Sequence, residues 1–137
     1  MNSISPPLNS APNFQTFPRK ALIAWAVLVF ILSVIPVPSF TPQKFIFLSF
    51  DTFAHAVFYV PLGAFCLWTF PWGSRLFMWG RAVCYAVAFG LMVELIQRLI
   101  PWRSFELTDL VADGVGASSG ATLALFFPRL YQFKFSR

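Results

Sequence analysis

Five carboxylates and a single imidazole are the side chains of this 137-residue chain best suited to acid–base or metal chemistry, and their spacing groups them. Asp51, His55 and Tyr59 recur every four residues, which in a helix lines them along one side. Glu94 shares a second helical side with Gln97 or Arg98, and with Ala86 and Gly90. Asp109 and Asp113 share a third, continued by Gly116 and Gly120. Arg103, Ser104 and Glu106 lie between the second and third groups. Carboxylates beside an imidazole can act as general acid and base, and His55, Glu94, Asp109 and Asp113 are the candidates for that work. They can also hold a divalent cation. An oxygen-rich set suits Mg²⁺ or Mn²⁺ better than Zn²⁺, and no His-x-x-x-His pair is present. Arg103, with Arg98, could clamp a phosphate, while Asp51, Tyr59, Gln97 and Ser104 complete a binding set. No nucleophile stands out.

The elements that must position these residues are membrane helices. Mean hydropathy is +0.69, only 11% of residues are charged, and 18 are Phe. A domain facing water needs more polar surface, whereas one facing hydrocarbon does not. The length allows one domain. Four apolar runs are predicted to form an all-α, four-transmembrane-helix bundle, over residues 21–35 (extending towards Phe40), 52–70, 82–100 and 107–127. The first 15-residue run reaches only about 22 Å as a helix, so the segment out to Phe40 is expected to complete the crossing. Pro36, Pro38, Pro101 and Pro128 close spans. Residues 41–50 form a loop with an apolar stretch at the interface. Residues 71–81 read as a turn whose Trp72 and Trp79 belong to an interfacial aromatic belt. Residues 1–18, rich in Pro, Ser and Asn, read as a disordered cytoplasmic tail, residues 19–128 as the membrane domain and residues 129–137 as a short basic tail.

Orientation follows from the basic residues. With the N-terminus inside, Arg19, Lys20, Arg75, Arg81, Arg129, Lys134 and Arg137 are cytoplasmic and only Lys44, Arg98 and Arg103 are outside. Both termini are therefore expected in the cytoplasm. Alternate helices run in opposite directions, so the start of helix two, the end of helix three and the start of helix four share the outer face. Every acid of the chain falls there. The net charge of +5 comes from residues scattered singly or in pairs beside apolar runs, which argues against nucleic acid. Cys66 and Cys84 read as small apolar packing residues with no metal spacing.

Plainer roles compete for several of these groups. Asp51 can cap helix two, and Asp109 can answer the dipole of helix four. Glu94 can pair with Arg98 four residues on. His55, Glu94 and Asp113 lie about a turn deeper, where capping does not account for them and where charge costs about 2.5–3.5 kcal/mol per group. Gly116 and Gly120 read as helix packing.

Residues 51–63 (Asp51, His55, Tyr59 and Leu62-Gly63) resemble the first signature of the VanZ-like membrane proteins, Asp-Lys-x-x-His followed by Tyr and Leu-Gly. Residues 94–120 resemble the second: Glu94-x-x-Gln97, Pro101-x-Arg103-Ser104, Asp109, then Gly116-Ala-x-x-Gly120. The similarity covers about residues 25–125, including the exit from helix one at Leu32–Pro36. Thr52 stands where Lys is usual and Asp113 where Asn is usual, so this site is more negative than the family norm. The resemblance implies a bacterial inner-membrane protein of the cell envelope, in a family associated with glycopeptide (teicoplanin) resistance.

Three functions compete. One is a non-catalytic protein that binds an envelope lipid, a lipid-linked cell-wall precursor or a related ligand, with a protein partner or second copy as an option. Another is a membrane hydrolase or transferase acting on a lipid-linked phosphate. The last is a transporter subunit, ranked below both because the polar groups cluster at one face rather than at the midplane and no inverted repeat is visible. The binding reading leads.

Overall fold

The structure, a computed structural model, describes residues 16–36 and 50–127. Four helices follow one another: α1 Thr16–Val34, α2 Phe50–Thr69, α3 Arg75–Gln97 and α4 Leu107–Phe126. No strand occurs among the described residues, and the expected all-α class holds. Three helices, α1 to α3, are long and apolar enough to cross a membrane. The fourth does not reach that apolarity, because two Asp and a run of Gly, Ser and Thr dilute it. The two Asp and two of the glycines turn inward. Asp109, Asp113, Gly116 and Gly120 are all buried, and apolar Leu107, Val111, Val115 and Leu123 face out. The fourth crossing expected from the sequence thus corresponds to a helix that is less apolar than the other three.

Several boundaries differ from expectation. Residues 16–18, assigned to the tail, already belong to α1, Phe50, assigned to the 41–50 loop, opens α2, and α3 ends at Gln97 rather than at residue 100. The rest of the tail, the extension of helix one over residues 37–40, the rest of that loop and residues 128–137 lie outside the described residues. The turn expected over 71–81 is shorter, since α3 starts at Arg75 rather than at residue 82. Ser74 caps it: the Phe77 amide donates to the Ser74 hydroxyl at 3.3 Å and the Met78 amide to the Ser74 carbonyl at 2.9 Å. This is the ordinary way a serine satisfies the orphan amides of a first turn. Gly73 makes the preceding turn at φ +99°, a left-handed conformation open to glycine. Arg81, one turn and a half into α3, donates to the carbonyls of Phe70 and Trp72 and so closes the end of α2.

The bundle is built on the pairing of α2 with α4, the most extensive of the helix pairs. Glycine makes it possible. A Cβ at Gly116 would overlap the backbone oxygen of Ala56, one at Gly120 the backbone oxygen of Val60, and one at Gly63 the backbone oxygen of Ala117. Close approach of small-residue stripes is the usual means of packing helices where lipid offers no hydrophobic drive. Ala82, Ala86, Ala117, Ala121 and Ala124 extend the small surface between α3 and α4.

Other sequence expectations are redistributed. Cys66 packs beside Leu67, Met78 and Ala121 as expected, but Cys84 is exposed. Trp72 is exposed, whereas the Trp79 indole donates to Thr122 Oγ1 at 3.1 Å and to the Ser118 carbonyl at 3.4 Å. Trp79 is therefore a strut between α3 and α4. Trp79→Phe, which keeps the ring and loses the donor, is expected to cost about 1 kcal/mol, read as a lower unfolding midpoint in detergent.

Candidate functional site

The C-terminal ends of α1 and α3 and the N-terminal ends of α2 and α4 meet at one end of the bundle, and the polar residues converge there. On α2 the buried positions are Thr52, His55 and Tyr59, at i, i+3 and i+7. Asp51 sits at the edge of that stripe with its side chain 44% exposed. On α3 Glu94 and Gln97 are buried, and on α4 Asp109 and Asp113.

Asp113 anchors the centre. Its Oδ1 lies 2.8 Å from His55 Nδ1, and both side chains are buried. The other ring nitrogen, Nε2, faces Glu94 Oε1 at 4.0 Å, beyond hydrogen-bond range. The second Glu94 oxygen accepts the Glu106 amide at 3.1 Å, which ties the loop before α4 to α3. Thr52 Oγ1 donates to Asp109 Oδ1 at 2.6 Å, and the Arg103 guanidinium donates to Asp51 Oδ2 at 2.5 Å. Gln97 Nε2 donates to the Ser33 carbonyl at 3.0 Å and so attaches the end of α1. Tyr59 lies flat against His55, ring planes 15° apart and centroids at 6.1 Å. Gly90 leaves room for the Asp113 carboxylate and the Tyr59 hydroxyl, both of which a Cβ there would crowd.

Four buried polar atoms in this cluster fall short of a well-formed hydrogen bond: Glu94 Oε1 and Gln97 Oε1 have no partner, while the Tyr59 hydroxyl and the Asp113 Oδ2 have only the Tyr59–Asp113 contact. Buried polar groups are normally satisfied, so a concentration of exceptions marks a place the fold maintains for something other than its own stability. A narrow cleft of about 50 Å³ between α1 and α2 leads to it, lined by Ser33, Asp51, His55, Tyr59 and Arg103. That is room for one or two water-sized groups. A larger groove, about 580 Å³, lies near the start of α3 beside Phe77, Gly80 and Tyr85. Its single cation, Arg81, is committed to the carbonyls of Phe70 and Trp72 just after α2, and no carboxylate or imidazole lines it, so the smaller cleft is the chemical one.

Most of the residues singled out from the sequence meet here: Asp51, His55, Tyr59, Glu94, Gln97, Arg103, Asp109 and Asp113. Two do not. Arg98 is exposed, and its guanidinium makes no ion pair or hydrogen bond among the described residues. The Glu94–Arg98 pair anticipated from i,i+4 spacing is replaced by Glu94 turning inward to His55 and the Glu106 amide. Ser104 lies exposed at the rim and donates to Glu106 Oε1 at 3.3 Å. Asp51 is not the N-cap of α2 but its second residue, with its carboxylate on Arg103, whereas Asp109 does stand in the first turn of α4, where its charge suits the helix dipole while it accepts from Thr52. Thr52 and Ser33 are members that sequence reasoning passed over. The i+3 and i+7 spacing of Thr52 with His55 and Tyr59 was the available signal for the first; the contact of a backbone carbonyl, as at Ser33, leaves none.

A family model described as VanZ/LLP1 matches residues 12–128 of the chain. No curated protein and no solved structure matches it.

Proposed function

We propose, from the premise that this chain belongs to the VanZ/LLP1 family, that it is a membrane-embedded binding protein for the headgroup of an envelope lipid or lipid-linked cell-wall precursor. The observation that carries this reading is the concentration of unpartnered buried acceptors behind a cleft whose mouth holds the Arg103–Asp51 pair. Arg103 offers a planar donor fork to a phosphate, and Asp51 offers acceptors to hydroxyl or amino groups beside it. The cleft opens between α1 and α2 on the flank of the bundle, where a lipid chain would lie along the exposed apolar side chains of both helices, among them Leu32, Phe53 and Val57.

In this proposal all four helices cross a bacterial inner membrane, both termini are cytoplasmic and the polar end faces outward, where precursors carrying glycopeptide targets are displayed. Protection against such antibiotics would then follow from engagement of the precursor. The test is binding of a polyprenyl-diphosphate-linked cell-wall precursor to the full chain in nanodiscs, followed by native mass spectrometry. Saturable binding, weakened at least tenfold by Arg103→Ala and absent for phosphatidylcholine, is the expected result. Binding no stronger than that of phosphatidylcholine overturns it.

One observation favours an enzymatic second reading. Asp113 holds one nitrogen of His55 and leaves the other open, which is how a carboxylate orients a general base. Turnover of the precursor in the same nanodiscs would select that reading over binding.

A further inference from the structure

We propose that the polar cluster is a divalent-cation site in which Asp51, His55 and Asp109 supply the ligands, Asp113 orients the histidine and Glu94 faces its open nitrogen from beside that group. One nitrogen of His55 and one carboxylate oxygen each of Asp51 and Asp109 lie within 4.8 Å of one another. With Nδ1–H donated to Asp113 Oδ1 at 2.8 Å, the nitrogen left to ligate is Nε2. A carboxylate behind the distal nitrogen is the arrangement that fixes the tautomer and direction of metal-bound histidines.

The independent pointer is Glu94. Its Oε1 is fully buried, has no hydrogen-bond partner and stands 4.0 Å from His55 Nε2. That distance is too long for a hydrogen bond. A cation on Nε2, or a water bound to it, would give Glu94 Oε1 the partner it lacks.

Charge argues the same way. Asp51, Glu94, Asp109 and Asp113 gather around a single guanidinium and a single imidazole, an excess of negative charge that is costly inside a bundle of apolar helices. A divalent cation removes most of it. One imidazole among carboxylates calls for an ion that accepts both nitrogen and oxygen, Mn²⁺ or Zn²⁺. Thr52 is consistent with this use, because its hydroxyl directs Asp109 and adds no competing cation.

The experiment uses the purified full chain in detergent without added lipid, stripped with chelator and titrated with MnCl₂ under electron paramagnetic resonance. About one Mn²⁺ per chain is expected, with ¹⁴N modulation from a coordinated imidazole in the pulsed spectrum. Asp109→Asn and His55→Ala should each weaken uptake at least tenfold, and Cys84→Ser should leave it unchanged. Asp113→Asn should weaken it less, because the amide oxygen still accepts from Nδ1–H. Failure to take up either Mn²⁺ or Zn²⁺ stoichiometrically overturns the site, as does bound Mn²⁺ without nitrogen coupling. Both readings use the unaltered chain, so they stand even if a variant does not fold. Because no headgroup is present, the outcome is separate from that of the precursor-binding experiment.

Discussion

Gly120→Ala is expected to lower the stability of the bundle by about 1–3 kcal/mol or more, while the same change at Gly80 raises it slightly. Both glycines are in helices, so alanine brings the same gain in intrinsic propensity of about 1 kcal/mol at each. At Gly80 the new methyl group meets nothing within 4 Å. At Gly120 it would overlap the backbone oxygen of Val60, an atom that α2 cannot move without moving itself. The helix pair has to separate. Because intrahelical hydrogen bonds survive in a membrane environment, helicity by circular dichroism should stay near that of the unaltered chain. The loss should appear instead in the thermal midpoint and in monodispersity in detergent. Equal midpoints for the two variants would contradict the backbone contact. Since α2 and α4 carry His55 and Asp113, cation uptake should fall along with packing.

The other large effect is expected at His55. Replacement by Ala leaves the fully buried Asp113 carboxylate without its partner, at a cost of about 3–5 kcal/mol. Asp113→Asn is expected to be much milder, since the amide oxygen can still accept from Nδ1–H in the same space. Combining His55→Ala with Asp113→Ala should recover part of the single-variant loss, with a coupling of about 0.5–3 kcal/mol, because no buried charge is then left unpaired. Strictly additive losses in unfolding measurements would show that the 2.8 Å contact carries little energy.

Much of the site could be read from spacing. His55 and Tyr59, and Asp109 and Asp113, repeat every four residues, so any helix through them aligns them, and opposite running directions put the ends of α2, α3 and α4 together. Glu94 shows where that reasoning stops. Its neighbours at i+4 and across the bundle competed for it, and the i,i+4 partner Arg98 was the local choice. In the folded chain the backbone amide of Glu106 and the ring of His55 take it instead, both brought close by chain segments distant in sequence. Trp79 and Arg81 went the same way. Each reads as an interfacial residue, and each is bonded to a neighbouring helix or its end.

The sequence by itself determined the membrane character, the number and approximate limits of the helices and the end at which charge collects, because hydropathy and helical period are properties of neighbouring residues. The family signatures were legible for the same reason. Which oxygen faces which nitrogen was decided only by the tertiary structure. Asp113 meets His55 and Thr52 meets Asp109 because glycines at 63, 116 and 120 let α2 and α4 approach to backbone contact. The rotation and depth of one helix against another depend on that contact, and no local spacing encodes them.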